Sequence, residues 1–326
     1  MPPADVLLVS LGGTAGLREA DAQLAASLRR AGAEVAEVHA ARVREWRTYG
    51  LIELAWARSA RAAAQAGIAE HKPRAVLYSS TTAALLAPAP GAIRFDAPAA
   101  GNRPGRHGIW QRPVERRRLA SAPLLVPWSE GGLAEAPSPR AEAIVVPVPV
   151  APSIEPARPD ARDLAAITYG ANPEKKGLDR VLTAWALARR PDEELVVAGL
   201  EGEPAEGVRY TGMLPRAEYR ALVRRARVFV CAPRREDYGI AQLEALADGC
   251  MLVTTPSPGP YAALEVARAL DERLVSDHLF GALRLALDAP VTGYAQRALE
   301  ALAPWRPEAV DRVVAEHLLP RLQSLT

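Results

Sequence analysis

The sequence predicts an α/β protein made of two doubly wound domains in tandem, each a parallel sheet covered by helices. Three observations carry this expectation. Short β-rich runs alternate with amphipathic helical segments along nearly the whole chain, and strands separated by helices imply parallel pairing with both sheet faces covered. The alternation is interrupted once, at 151–163 (APSIEPARPDARD), where prolines and charges replace apolar periodicity and the chain reads as an extended linker. The length, 326 residues, exceeds what one core usually fills, so two domains of about 150 residues each are expected.

The elements follow in order. DVLLVSL (5–11) reads as a strand, and GLREADAQLAASLRRAG (16–32) as a helix, with Leu17, Ala20, Leu24 and Leu28 at helical spacing. AEVAEVHA, RAVLYSS, AIRFD and APLLVPW read as further strands, and AIVVPVPV (143–150) closes the first series as a strand. The second series has strands LAAITYG (164–170), ELVVAG (194–199), VRYTG (208–212), RVFVCAP (227–233) and MLVTTP (251–256). PEAVDRVVAEHLLPRLQSL (307–325) reads as a final helix long enough to pack back across a neighbouring domain. The expected domains are therefore 1–150, 151–306 and a C-terminal helix, 307–326, crossing back to the first. Ligands of such sheets bind at the C-terminal strand ends, which makes the interdomain cleft the expected site.

Composition excludes several classes. Residues 1–150 carry 18 basic and 13 acidic side chains, and residues 151–326 carry 22 and 25. That imbalance is too mild for a nucleic-acid partner, but it allows an anionic or membrane-associated substrate on the first half. No apolar run approaches the ~18 residues of a membrane span, and MPPADVLLVS shows neither a basic leader nor a cleavage site. The expectation is a cytoplasmic protein, with peripheral contact at the inner membrane face left open. Cys231 and Cys250 lie in apolar strands and read as core residues rather than a disulfide. His39, His71, His107, His278 and His317 are scattered, so no metal site is expected.

The strongest chemical signal is REDYGIAQLEALADGC (235–250), a loop that follows a strand and runs directly into a helix. Ile240, Leu243 and Ala247 form an apolar stripe, and Glu244 falls inside it. A carboxylate there asks for a partner, and ligand hydroxyls would serve. Glu236, in the preceding loop, can reach a ligand resting on the helix N-terminus, where the N–H groups of Tyr238, Gly239, Ile240 and Ala241 point at an anion. The competing reading is an ordinary N-terminus whose acids, Glu236 and Asp237, serve the helix dipole.

The second signal is GANPEKKGLDR (170–180). The chain holds forty basic residues and only three lysines, and two of them, Lys175 and Lys176, stand here. A lysine at a strand-to-helix junction places a compact charge on phosphate oxygens, and Lys176 is the candidate; Lys175 reads as a solvated neighbour.

Two signals lie in the first half. SLGGTAG (10–16) offers Gly12 and Gly13 for close backbone approach and Thr14 as a cap, but its spacing does not satisfy the dinucleotide fingerprint. RFDAPAAGNRPGRHGIWQRPVERRRL (94–119) holds six arginines from Arg103 to Arg118 and one acid. It reads either as a solvated helix face with Glu115 pairing locally, or as a binding region for the acceptor or an anionic lipid through Arg103, Arg106 and Trp110. Asp96 is the first half's candidate catalytic carboxylate, or else a turn-initiating Asp.

Together these residues carry a resemblance. EDYGIAQLEALADG resembles the Glu-x7-Glu motif of the retaining glycosyltransferases of family 4, whose usual form is E-G-F-G-x-x-x-x-E-A-x-A-x-G. YGANPEKKGLDRVLTAW is similar to that family's G-R-x-x-x-x-K-G segment, and VRYTGMLPRAEYRALVRRARVFVCAP to its nucleotide-binding strand, helix and strand. The match covers about 165–290 and extends to the first half only in architecture. It implies a GT-B fold, two Rossmann-like domains facing a central cleft, a nucleotide-diphosphate sugar as donor, and a carbohydrate, lipid-linked or small-molecule acceptor. No cofactor and no metal are implied.

By motif position the resemblance gives Glu244 the donor ribose, Glu236 a hexose hydroxyl, and the amides around Tyr238, Gly239 and Ile240 the sugar or diphosphate. Lys176 takes the leaving diphosphate, Met213 and Leu214 the base, and Gly170 and Asn172 line the donor site. Gly12 and Gly13 approach from the other side of the cleft. Two positions depart from the family: Ala171 stands where it carries arginine, and Phe95 precedes Asp96 where it carries histidine. Asn172, Lys175 or Arg234 are the candidates to replace the missing cation. These departures keep two alternatives in view, a sugar-nucleotide epimerase of the same fold and a donor-binding protein with reduced turnover.

Overall fold

The computed structural model describes residues 3–43, 49–103, 105–137, 142–153 and 162–325. The chain forms two compact units, Met1–Pro149 with Pro307–Thr326, and Val150–Arg306. Each is built on a five-stranded sheet, and every pairing within named strands is parallel.

In the first unit β1 (Val6–Ser10), β2 (Val35–His39), β3 (Ala75–Tyr78), β4 (Ala92–Phe95) and β5 (Leu125–Pro127) lie in the order β2-β1-β3-β4-β5. β1, β3, β4 and β5 are buried along their length while the edge strand β2 is half-exposed, as expected when helices cover both faces. One face packs against the helix Ala15–Arg30 through Leu24, Ala25 and Leu28, and also against Val310, Val314, Leu318 and Leu322 of the C-terminal helical run. The other face packs against Ala60 and Ala64 of the helix Tyr49–His71.

The C-terminal run is not one uniform helix. Pro307–Val313 passes through a π turn, Val314–Leu318, into Leu319–Gln323. Pro320 supplies the reason, since its ring displaces a carbonyl one turn earlier and removes a donor, which a wider turn accommodates.

The sequence expectation fails at 143–150. Only an isolated bridge, Leu125 to Ala143, is formed there, although Ile144 N–H and Val146 N–H donate to Leu125 O and Pro127 O. Pro147 and Pro149 have no N–H with which to continue a ladder. Of the linker, residues 154–161 lie outside the described residues.

In the second unit β6 (Leu164–Tyr169), β7 (Leu195–Ala198), β8 (Val208–Tyr210), β9 (Ala226–Cys231) and β10 (Met251–Thr254) take the order β10-β9-β6-β7-β8. The chain starts at β6, builds outward through β7 and β8, then returns to place β9 on the other side of β6. The direction of winding thus reverses between β6 and β9, and the loops leaving those two strands diverge to opposite faces. Such a switch point is where doubly wound sheets hold ligands.

Candidate active site

The loops leaving β6 and β9 carry the two strongest sequence signals, and the structure brings them together. After β6, Gly170 N–H donates to Ala198 O at 2.7 Å. Asn172 takes a left-handed backbone (φ 59°), and its side chain accepts the Lys175 N–H at 3.2 Å, starting the single turn Pro173–Lys176. Gly177 ends the turn at φ +61°, and a Cβ there would lie 1.9 Å from Ala232 O. Only glycine lets this loop lie against the end of β9.

The β9 loop returns the contact. Arg234 N–H donates to Lys175 O at 3.0 Å. Lys176 Nζ donates to Glu236 Oε2 at 2.6 Å, and Lys175 Nζ to Asp237 Oδ2, also at 2.6 Å. Arg235 Nε reaches the other Asp237 oxygen at 2.8 Å. Burial alone would raise the Asp237 carboxyl, but Lys175 and Arg235 outweigh it and hold it below its ordinary value. Lys175 is therefore a bridge between the loops rather than a bystander.

All three candidate replacements for the missing arginine already have partners, Lys175 in Asp237. Asn172 caps the turn, and Arg234 grips Asp179 through both guanidinium nitrogens at 2.9 and 2.8 Å. That bond is the main reason the exposed Asp179 carboxyl is lowered to about 2.

Gly239, at φ +92°, precedes the helix Ile240–Ala247, whose N-terminus has no side-chain cap. Its first N–H groups are free of the usual side-chain acceptor and carry the positive end of the helix dipole. Tyr238 is buried and accepts a bond from Trp305 Nε1 at 2.9 Å. Residues 242–250 are all buried, so the expected apolar stripe is a largely enclosed helix, with Ile240 and Ala241 half-exposed.

Glu244 has protein partners that the sequence reading did not supply. Its Oε1 lies 2.7 Å from an Arg216 nitrogen and 3.5 Å from one of Arg220. Burial raises its carboxyl, and the two guanidinium groups only partly offset this. Arg220 also bonds Asp248 at 2.6 Å, and Asp248 in turn holds the N–H and hydroxyl of Ser153. The signal was available: Arg216 and Arg220 stand one helical turn apart and share a face. In the loop after β8, Gly212 takes φ +65°, Met213 is exposed and Leu214 half-buried.

The first unit's candidates are placed differently. Gly12 (φ +62°) and Gly13 leave β1, and Arg18 closes back on Gly12 O at 2.8 Å. Thr14 caps its helix as expected. Asp96 Oδ1 accepts the N–H of Ala97 at 2.7 Å, the local bond of a turn residue. Arg103 pairs with Glu53, which also accepts from Thr82. Trp110 is half-buried just before the helix Gln111–Ser121, and the Arg106 side chain lies outside the described residues. Among the described residues Glu115 forms no ion pair with an arginine. It is buried, accepts the Ala99 N–H at 2.6 Å, and burial pushes its carboxyl up to about 7.

Among the described residues no three His, Cys, Asp or Glu side chains gather to hold a metal ion, and no helix is long and apolar enough to cross a membrane. Cys231 and Cys250 are buried free thiols.

Two parallel Rossmann-like sheets, the second with a lysine-carboxylate pair and an uncapped helix at its switch point, define a protein of the GT-B fold. Residues 154–267 match the family model of the glycosyl transferases of group 1. Solved structures of similar fold include a sucrose-phosphate synthase from Thermosynechococcus elongatus, with TM-score 0.72 at 15% identity over 100% of both chains. Anabaena HepE, in complex with UDP and glucose, gives 0.69 at 13% identity, covering 97% of this chain and 99% of that one. WaaG, a glycosyltransferase involved in lipopolysaccharide biosynthesis, gives 0.67 at 16%, covering 95% and 99%. No curated protein sequence matches the chain.

Proposed function

We propose that this protein transfers a sugar from a nucleotide-diphosphate sugar to the hydroxyl of a carbohydrate, lipid-linked or small-molecule acceptor, with retention of anomeric configuration and without a metal ion or other cofactor. The observation that carries the reading is the Lys176–Glu236 pair beside the uncapped helix Ile240–Ala247, at the switch point of the second sheet. The group 1 match over 154–267 supports it, as do the UDP and glucose bound by HepE.

In this mechanism the bond from the anomeric carbon to the diphosphate breaks with its electron pair going to the diphosphate. Negative charge grows there, and preorganised positive groups are the largest catalytic asset such a site can hold. Lys176 turns its ammonium from Glu236 to the phosphate oxygens, and the first amides of the helix, around Gly239 and Ile240, face the same charge. The acceptor oxygen bonds to the anomeric carbon on the face the diphosphate leaves, and its proton passes to a departing phosphate oxygen. Glu236 takes a hexose hydroxyl and Glu244 the ribose, with Arg216 and Arg220 holding the Glu244 carboxyl in place. Gly170 and Asn172 shape the loop, and Met213 and Leu214 border the base.

Asp96 accepts the Ala97 N–H on one carboxylate oxygen, and the mechanism gives it no step. On the segment 103–118, the exposed Ile109, Arg116 and Arg117 fit peripheral contact with an anionic membrane surface; sedimentation with phosphatidylglycerol vesicles at low salt tests it.

The first experiment is a thermal-shift screen of uridine, guanosine and adenosine diphosphates and their glucose conjugates. A ligand at a hundred times its Kd stabilises by roughly 2.7 kcal/mol, and the reading expects one base to do so. Absence of any shift at millimolar ligand overturns it.

A further inference from the structure

We infer that Gln242 is a positioning residue for Glu236: its amide holds Oε2 of the carboxylate and so keeps Oε1 available to a donor sugar while Lys176 is engaged with the diphosphate. The inference rests on the functional reading above and concerns the sugar-binding side of the same site.

Gln242 is the third residue of the helix Ile240–Ala247 and is 2% exposed. A glutamine there commonly folds back to cap its own helix, yet this one turns aside. Its Nε2 donates to Glu236 Oε2 at 3.2 Å and lies 3.6 Å from Cys231 Sγ at the end of β9. Cys231 is itself fixed, donating to Thr254 Oγ1 at 3.2 Å. Both neighbours of the amide nitrogen are acceptors, so the amide has one sensible orientation, and its oxygen is left buried with no hydrogen-bond partner among the described residues. A buried acceptor left unmade is destabilising. A leucine would fill the same space without that cost, so what glutamine adds here is the bond to Glu236.

That bond has a specific use. Glu236 is 5% exposed, and its Oε2 takes both side-chain donors, Lys176 and Gln242, while Oε1 makes no hydrogen bond among the described residues. Its main chain is pinned, since its N–H donates to Pro258 O at 3.1 Å and a Cβ on Gly259 would lie 2.3 Å from its carbonyl oxygen. When Lys176 turns to an anion, Gln242 remains as the donor that stops the carboxylate from rotating. Oε1 then meets a sugar hydroxyl in a fixed place.

The test compares wild type with Q242L in the full chain, measuring Kd for uridine diphosphate and for UDP-glucose by calorimetry, with the guanosine and adenosine pairs as parallel arms. The expected result is a diphosphate Kd within about twofold of wild type, a UDP-glucose Kd weakened roughly tenfold, the scale of one bond to a charged group, and an undiminished melting temperature. An unchanged ratio of the two constants overturns the inference and leaves the functional reading intact. Equal weakening of both, with a lowered melting temperature, assigns Gln242 a merely structural role and also overturns it. If no pair binds wild type, the functional reading falls and this inference with it. Q242M provides the same comparison should Q242L not fold.

Discussion

Each sheet reverses its winding once, between β1 and β3 in the first and between β6 and β9 in the second, and the loops at the two reversals differ in chemistry. At the second sheet's switch point the charged groups face one another across two loops: Lys175 to Asp237, Lys176 to Glu236. At the reversal in the first sheet Leu11 N–H donates to Ser79 Oγ instead, and the charges there are buried. Asp21 and Arg94, 2% and 1% exposed, pair at 3.3 Å, with Ser10 on the same carboxylate and the Trp128 ring 4.8 Å from the guanidinium. Burial raises the Asp21 carboxyl despite that arginine. A buried pair of this kind is costly to break and inaccessible to ligand. The difference teaches that a reversal of winding can end in a charged, reorganisable site or in a closed polar core, and that lysine on a short turn separates the first case from the second.

The largest expected effect breaks the comparison on its reactive side. K176A removes the cation that would take the departing charge, and transfer from the donor found in the thermal screen should fall roughly 10²- to 10³-fold. The melting temperature should fall, because Glu236 loses its cation, while the fold survives through Lys175–Asp237 and the Arg234 N–H, which still join the loops. Initial rates under saturating donor decide it; an undiminished rate removes Lys176 from the mechanism.

Next is the glycine that permits this contact. In G177A a methyl would meet Ala232 O at 1.9 Å on a backbone at φ +61°, and unfolding free energy should drop by about 3 kcal/mol or more. G13A in the first unit is the control, with nothing within 4 Å of its Cβ position, and should stay within about 0.5 kcal/mol of wild type. Urea midpoints for the two variants measure the contrast.

Much of this was legible in the sequence, and the failures are instructive. Strand and helix alternation reports directly on burial of both sheet faces, so β1 through β10 could be read from apolar runs. Glu236 and Lys176 could be singled out because the chemistry of each shows in its type and spacing, whereas the need for Gly177 shows only in the close approach to Ala232 O. Lys175 and Asp237 were not legible, because their meaning lies in a pairing 62 residues apart in the chain. Gln242 was missed for a related reason: a polar residue on a helix reads as solvated unless the whole helix is known to be enclosed. The strand assigned to 143–150 failed because valine content outweighed two prolines in the reading, whereas the ladder depends on N–H groups.

A third test concerns the first unit's own buried acid. Glu115 has a carboxyl raised from 4.5 to about 7 by burial, so the folded state holds a proton that the unfolded chain has released. Stability from this group is complete below pH ~4.5 and declines as pH rises through about 7, then levels off. The span corresponds to an upper limit of roughly 3 kcal/mol. E115Q keeps an acceptor for the Ala99 N–H and removes the ionisation, so it should flatten that decline and exceed wild type at pH 8 by about 1–3 kcal/mol. Urea titrations from pH 5 to 8 measure it, and parallel curves for the two proteins would show that Glu115 does not titrate there.

The smallest expected effect sharpens the comparison most, because it concerns a carboxylate that the sequence offers either as catalytic or as a turn-initiating residue. Asp96 follows β4 at its C-terminal end, as Glu236 follows β9, yet its Oδ1 is occupied by the next residue's N–H at 2.7 Å. A turn of this sort needs an acceptor, not a charge, and asparagine supplies one. D96N should therefore retain turnover within about threefold of wild type, a difference of less than 1 kcal/mol in barrier. A loss of thirtyfold or more would place Asp96 against the reacting sugar and return a catalytic carboxylate to the first unit. The two sheets would then differ in degree of closure rather than in kind.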